Sequence, residues 1–412
     1  MNPKKVVVTG MGVISPVGKC VADFWENLVK GVCGIGSITH FDTTDYKVKI
    51  AAEVKSFDPL QYMDKSDARR SDRFTQFALA AAAEAVRDSG IEGHVAPERL
   101  GVYIGSGVGG MATMTEQQEK LLAGGPRKVS PFFVPMMIGN MAAGSVAIRF
   151  NAQGPCLPVI TACATSTNAI GEAMRAIRCG DADVILAGGS EAAIIPLSIA
   201  GFTNCMALST RNDPASASIP FDARRDGFVM GEGAGVLVLE EYSHAVARGA
   251  RIYAEVSGYG HSCDAYHITS PQPEGRGAAR AIRLAAEEAG VLAQGMLYIN
   301  AHGTSTPLND KGETAAIKAA LGMEWAYAAK ISSTKSMTGH MLGAAGAAEA
   351  IASILALTSG ILPPTIGYQE KDQDCDLDYV PNAAQRVAVD AALSISLGFG
   401  GHNACLAFTR EG

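Results

Sequence analysis

The feature that most narrows what this chain can fold into is a repeated local pattern, in which a short apolar strand runs into glycines or small polar residues and then into a helix. "KKVVVTGMGVISPVG" leads into "CVADFWENLVKG", and "ERLGVYIGSGVGG" leads into "MATMTEQQEKLLAG". "PVITACATSTNAIGEAMRAIRCG", followed by "DADVILAGGSEA", continues the theme, and the C-terminal half repeats it in "MLYINAHGTSTPLNDKGETAAIKAALG" and "KISSTKSMTGHMLGAAGAAEAIASILALTSG". Strands alternating with helices of roughly 10 to 15 residues favour an α/β layered fold over an all-β fold or a helical bundle. Residues 158–180 and 329–360 agree further: each has a small-residue strand end, a chemically reactive residue and an Ala/Gly-rich helix. Helices without large side chains pack closely on every side. A duplicated domain with two buried central helices is one reading of this likeness, and a coincidence of composition is the other. If the chain is duplicated, its halves divide near residue 250, into 1–250 and 251–412.

With 48% hydrophobic and 18% charged residues over 412 positions, the chain can bury a large core and is unsuited to disorder. "MNPKKVVVTG" passes from two lysines straight into a strand, with no apolar run that would serve as a signal peptide. The long apolar segment 342–359 contains Glu349 and falls short of a clean span of about 20 residues. The expectation is a soluble, cytoplasmic protein with no membrane association. Nine cysteines without a short repeated spacing argue against a disulfide framework or a zinc knuckle, and a net charge of -7 argues against general nucleic-acid binding.

Four residues carry the chemical interest. Cys163 sits where an extended run meets a helix, between Ala162 and Ala164, which leave room for a bulky electrophile. A thiol near the free N–H groups of a helix start has a lowered pKa and a larger attacking fraction. An inert core cysteine is the alternative, and the polar run Thr-Ala-Cys-Ala-Thr-Ser-Thr is a poor choice for pure packing. His302, in "YINAHGTSTPLND", lies two residues beyond a strand end; Lys335 and His340, in "KISSTKSMTGHMLGAAGA", occupy a polar turn at the head of the Ala-rich helix. An α/β architecture gathers such strand-to-helix junctions on one side, so the cysteine and the histidines can converge. Two long loops, in "STRNDPASASIPFDARRDGF" and "GYGHSCDAYHITSPQPEG", are candidates for lining the same site.

Other signals carry less. "GSGVGG", residues 105–110, has the glycine content of a phosphate loop without the dinucleotide spacing or a Walker lysine. His261, Cys263 and His267 have no partner pair at metal spacing, so no metal is expected. Lys65, Arg69 and Arg73 recur every four residues, as if on one helix face, where Asp64, Asp67 and Asp72 offset them; Arg127 and Lys128 form a second positive point. A salt-bridged solvated face is the plain reading, and steering of a small acidic partner is the other.

Four motifs, in order, resemble the β-ketoacyl-acyl-carrier-protein synthases, and most closely the type II elongating enzymes of dissociated fatty acid synthesis: "TACATS", "PFDARRDGFVMGEGAG", "NAHGTSTPLND" and "KSMTGHMLGAAG". The likeness runs from "VVVTGMGVISPVG" to "GFGGHNACLAF". The resemblance implies a thiolase-like fold, two duplicated halves in α-β-α-β-α layers, and a homodimer. It implies that Cys163 takes an acyl chain from acyl-carrier protein, and that His302 and His340 act on a malonyl-carrier thioester with Lys335 organising the charge around them. The backbone N–H groups of Cys163 and Phe399 would be oxyanion donors, and Phe399 also a gate. Val108 and Phe202, with Ile194 and Leu197 as neighbours, would line the acyl tunnel. Lys65, Arg69, Arg127 and Lys128 would belong to the carrier-protein dock. No bound cofactor is implied; phosphopantetheine arrives on the carrier.

The chain departs from the common pattern at His402, where these enzymes usually have threonine in the glycine-rich C-terminal motif. Three other readings are weighed against the elongating enzyme. A thiolase would need a second cysteine near the C-terminus, and Cys405 lies inside an apolar strand-like run. A polyketide ketosynthase differs little in sequence. A non-catalytic chain-length subunit would typically lack the nucleophile, which is present here.

Overall fold

The computed structural model describes residues 4–291 and 295–411. Nine strands form the main sheet: β1 Val6–Ile14, β2 Leu100–Gly105, β3 Val184–Glu191, β4 Gly233–Glu241, β5 Ala254–Cys263, β6 Leu297–Asn300, β7 Lys330–Ser332, β8 Ala391–Gly398 and β9 His402–Thr409. Five helices build the layers around it: α1 Arg73–Ser89, α2 Thr165–Cys179, α3 Arg276–Ala289, α4 Pro307–Leu321 and α5 Ala345–Ser359. The "GAGVLVLEE" run is β4, buried along almost its whole length, as a strand covered on both faces must be.

The strand order is β2-β3-β4-β1-β5-β9-β8-β6-β7. Cut between β1 and β5, this is one arrangement used twice. β2 pairs parallel with β3 as β6 does with β8. β3 runs antiparallel to β4 as β8 does to β9, and β4 to β1 as β9 to β5. The parallel bridge Val102↔Cys156 beside β2 occupies the place that β7 holds beside β6. Within the sheet, the described strands of the two halves pair at Val7↔Glu255 and Val8↔Ala254.

The duplication extends to single contacts. A Cβ on Gly12 of β1 would lie 2.0 Å from the Ala81 carbonyl oxygen of α1, and a Cβ on Gly260 of β5 would lie 2.0 Å from the Ala281 carbonyl oxygen of α3. Both strands press so closely on their helix that no side chain fits there.

Apolar residues alternate along the strands between three cores, which is the period-2 consequence of the pleat. Val236 and Val238 of β4 pack outward with Phe74 and Phe77 of α1, whereas Leu237 and Leu239 pack inward with Ile170 and Met174 of α2 and Ile351 of α5. Leu393 and Ile395 of β8 meet Ile282 of α3 and Ile317 of α4 on the other outer side. The outcome is helix, sheet, helix, sheet, helix, with α2 and α5 as the central layer. This is the thiolase-like architecture expected from the sequence.

A polar contact ties the central pair, the Ala347 amide of α5 donating to Ser166 Oγ of α2 at 2.9 Å, and a second ties α2 to β8, where the Thr167 and Ser396 hydroxyls lie 2.7 Å apart. Leu342–Ser359 is long and apolar enough to cross a membrane by length and composition, and 83% of it is buried in the protein as a core helix.

Candidate active site

Both central helices are entered through the same turn. Ala162–Ala164 precedes α2 and Leu342–Ala344 precedes α5, each a single 3-10 turn. Ala162 has φ +51° and Leu342 φ +47°, left-handed values that cost a residue with a side chain about 1–2 kcal/mol. The kink lifts Cys163 out of the strand line and presents it to a cavity of about 410 Å³ that His302, His340, Phe202 and Phe399 also line.

His302 follows β6 by two residues, as expected, and His340 follows the short helix Lys335–Thr338. Their rings stand edge to face with centroids 5.3 Å apart, and Phe228 packs against His340 at 5.1 Å. Both rings are buried, and neither Nδ1 has a hydrogen-bond partner among the described residues. Burial, and then the positive charge of Lys335, hold both well below the usual imidazole range; for His302 the neighbouring His340 adds to this. At neutral pH they are uncharged imidazoles, each able to offer an N–H donor to the cavity.

The Cys163 thiol differs from the sequence expectation. Burial pushes it up to about 12, against the opposing influence of Lys335 and of the Phe399 backbone amide hydrogen-bonding to it. Desolvation of the thiolate outweighs the helix start because the sulfur stands in an apolar wall with Val108, Phe202, Ile194 and Leu342. Lys335 is buried and paired with the buried Glu349 of α5.

The other Glu349 oxygen, Asn300 Oδ1 and Ser394 Oγ are buried without partners among the described residues. Asn300 and Ser394 are register neighbours on β6 and β8. Among the described residues no cluster of three or more His, Cys, Asp or Glu could hold a metal.

Two buried carboxylates that the sequence did not single out shape the loops of the site. Glu313 of α4 accepts the His302 amide at 2.6 Å and the Gly303 amide at 2.7 Å. Burial pushes its carboxyl up to about 7. Glu191, at the end of β3, accepts from Ser106 Oγ and the Gly107 and Val108 amides, and from the Gly343 amide at 3.0 Å. The glycine-rich loop therefore gathers its amides on one group, the Glu191 carboxyl of the same chain, which burial pushes up from the ordinary glutamate range. Glu349 was visible as the one charge in an apolar helix; Glu191 and Glu313 left no comparable signal, because their partners are main-chain amides.

Of the expected tunnel residues, Val108, Phe202 and Ile194 pack in one apolar cluster with Cys163. Leu197 does not join them: it is 59% exposed and outside the cavity. On the helix Pro196–Asn204 it stands five positions before Phe202, about 140° round the helix, so the two face different ways.

The expected single face of Lys65, Arg69 and Arg73 is broken. Lys65–Arg69 is its own short helix, and Asp72, buried and bonded to Thr113, caps α1. Arg73 turns inward to Glu232 at 2.9 Å. Lys65, Arg69, Arg127 and Lys128 are all exposed. Cys405 is buried in β9 on the face that packs against the outer helices, and Asp226 and Asp264, from the two long loops, reach the cavity.

The sequence matches the family descriptions "Beta-ketoacyl synthase, N-terminal domain" over residues 3–245 and "Beta-ketoacyl synthase, C-terminal domain" over residues 253–369. It is 51% identical to 3-oxoacyl-[acyl-carrier-protein] synthase 2 of Synechocystis, covering 100% of this chain and 99% of that one. It is 52% identical to the protein of that name from Staphylococcus aureus, covering 99% and 98%. Among solved structures, a β-ketoacyl synthase from Burkholderia phymatum superposes with TM-score 0.92 at 34% identity, covering 99% and 100%. A ketosynthase of a type II polyketide system, solved with its acyl-carrier protein and a hexaketide, does so with TM-score 0.92 at 36% identity, covering 100% of both chains.

Proposed function

This chain belongs to the β-ketoacyl synthase family and has its condensing chemistry, and from that premise we propose that it elongates fatty acyl chains, joining acyl-[acyl-carrier protein] to malonyl-[acyl-carrier protein] with loss of CO2. The observation that carries this reading is the convergence of Cys163, His302 and His340 on one cavity from three separate turns.

Cys163 attacks the acyl thioester; its carbonyl carbon bonds to Sγ, the carrier sulfur departs, and the thiol proton leaves with it. A thiol pushed up to about 12 stays protonated until the substrate arrives, which protects it between turnovers. The oxyanion formed in this step takes hydrogen bonds from the Cys163 and Phe399 amides. The malonyl unit then enters the other side of the cavity. Its bond to the carboxylate breaks, CO2 leaves, and the electron pair becomes an enolate whose oxygen accepts N–H donors from the two neutral histidines. One such donor is worth roughly 3 kcal/mol, about a hundredfold in rate. The enolate carbon attacks the acyl-Cys163 carbonyl, the C–S bond breaks to release 3-oxoacyl-[acyl-carrier protein], and the departing thiolate takes a proton from water to restore the thiol. Lys335, paired with Glu349, sets the field around the histidines and is assigned no proton-transfer step.

Val108, Phe202 and Ile194 form the acyl wall in this reading, and the small Val108 side chain favours longer chains. Phe399, 6.4 Å from Phe202 between ring centroids, divides that wall from the malonyl side. The exposed Lys65, Arg69, Arg127 and Lys128 receive an acidic carrier protein, whose phosphopantetheine arm enters the cavity. We place the division between the halves at residue 250. A homodimer is supported by exposed apolar side chains on the N-terminal half, among them Leu157, Ile160 and Ile148.

The higher identity to the two 3-oxoacyl-[acyl-carrier-protein] synthases 2 than to the polyketide ketosynthase favours the fatty acid substrate. A thiolase reading has less support, since Cys405 is packed away from the cavity. The test is to incubate the protein with malonyl-carrier protein and acyl-carrier proteins of graded length. Products two carbons longer, with one CO2 released per product, are expected; condensation without CO2 release would overturn the proposal.

A further inference from the structure

Tyr259 lies in β5 of the C-terminal half, yet its side chain reaches across to α2 in the N-terminal half. Its hydroxyl donates to Asn168 Oδ1 at 2.7 Å, with Glu172 Oε1 a longer alternative at 3.2 Å. Asn168 Nδ2 in turn donates to Thr161 Oγ1 at 2.7 Å. Thr161 is the residue before the strained Ala162, and its carbonyl accepts the Ala164 amide at 3.0 Å, closing the turn around Cys163. Its own amide donates to Thr165 Oγ1 at 2.9 Å. Three side chains thus run in an unbroken hydrogen-bonded line from a strand of one half to the turn that presents the thiol of the other.

The tyrosine ring is seated for this. A Cβ at Gly171 would lie 2.4 Å from the ring, so α2 leaves a gap in its side chains where the ring passes. The Arg175 guanidinium lies over the ring at 4.6 Å from its centroid, and His261 stacks on it at 5.1 Å with planes 7° apart. The internal repeat supplies a comparison. Gly258 and Gly260 of β5 correspond to Gly10 and Gly12 of β1 through their matching contacts with α3 and α1, so Met11 stands where Tyr259 does. Met11 is buried in an apolar cluster with residues of α5 from the other half, the helix whose entry turn carries Gly343 in place of the cysteine. Among the described residues, this polar line runs beside the reactive turn and has no counterpart beside the Gly343 turn.

We infer that Tyr259, through Asn168 and Thr161, is a positioning residue that holds the Cys163 turn in its attacking geometry. This rests on Cys163 being the nucleophile proposed above.

The test compares acyl transfer onto Cys163, followed by intact mass after mixing with acyl-carrier protein, in wild type, Tyr259→Phe, Thr161→Val and Thr161→Ser. Alkylation of Cys205, an exposed thiol lining the same cavity, serves as an internal control for general loosening. One lost neutral hydrogen bond is expected to slow acylation roughly 5- to 10-fold. Tyr259→Phe and Thr161→Val should show that loss, Thr161→Ser should restore most of the rate, and the double variant Tyr259→Phe/Thr161→Val should be no slower than either single one. Cys205 alkylation should stay unchanged. Acylation at the wild-type rate in Tyr259→Phe overturns the inference, as does a Cys205 rate that rises as much as acylation falls. If wild-type Cys163 is itself not acylated, the fault lies with the nucleophile assignment and not with the positioning line.

Discussion

The two turns that enter the central helices are the same backbone object with opposite contents. Ala162-Cys163-Ala164 and Leu342-Gly343-Ala344 share the positive φ at their first residue, and each leads into a helix of 15 residues. At Cys163 the side chain has a cavity before it. At Gly343 there is no room for one: a Cβ would meet the Gly107 amide nitrogen at 2.5 Å and Glu191 Oε2 at 2.8 Å. Duplication therefore supplied the geometry of an exposed nucleophile twice, and the packing of the Glu191 loop closed one copy. The loops after β2 and β6 make a second such pair, since each is clamped through its amides by a buried carboxylate, Glu191 in one and Glu313 in the other. Only the second loop carries a histidine.

This contrast can be broken at several points. Cys163→Ala should abolish acyl-enzyme formation, with condensation down by at least about a thousandfold while the fold is kept. Substantial turnover by this variant would show that the two turns do not differ in function. His340→Ala should lower condensation by about a hundredfold or more through loss of one enolate donor. A malonyl decarboxylation rate as high as wild type would take the histidine out of that role.

The Glu313 clamp should be felt in the pH dependence of stability. Its folded value of about 7 stands above the ordinary 4.5 of a glutamate, so the folded protein holds this proton more tightly than the unfolded chain. The contribution is complete below about pH 4.5 and declines as pH rises to about 7, by roughly 3 kcal/mol in all. In urea titrations at pH 5 and pH 7.5, Glu313→Gln should lack this fall even though its stability at pH 5 is lower. An unchanged slope would mean that the loop is held without the carboxyl titrating.

Smaller effects sharpen the comparison of the turns themselves. Gly343→Ala should cost about 1–3 kcal/mol, because backbone at Gly107 must move. A thermal midpoint equal to wild type would show that the closed copy has spare room. Ala162→Gly should stabilise slightly, by under about 1 kcal/mol, since relief of the left-handed strain is partly offset by a freer unfolded chain. A clear loss of stability there would mean that the turn holds Ala162 without strain.

Much of the molecule was legible in local pattern. The strand-then-helix rhythm led to the α/β layers, and the likeness of 158–180 to 329–360 corresponds to two turns with matching dihedral angles. His302 and His340 stand at strand-to-helix junctions, as their small polar surroundings suggested. The basic residues misled, because a period of four continues across Asp72, which starts a new helix and turns Arg73 inward. Leu197 misled as well, since nearness in sequence to Phe202 says nothing of which way a helical residue faces until the helix is packed.

By itself, then, the sequence determined which elements form and which reactive groups sit at their ends, because these follow from periodicity, turn residues and the chemistry of single side chains. Only the tertiary structure decided how those groups are tuned. Glu191 meets Gly343 across 152 residues, and Asn168 meets Tyr259 across 91. Burial is what moves the thiol up and both imidazoles down from their ordinary titration ranges. Desolvation is a property of everything packed around an atom, and no local stretch of sequence carries that information.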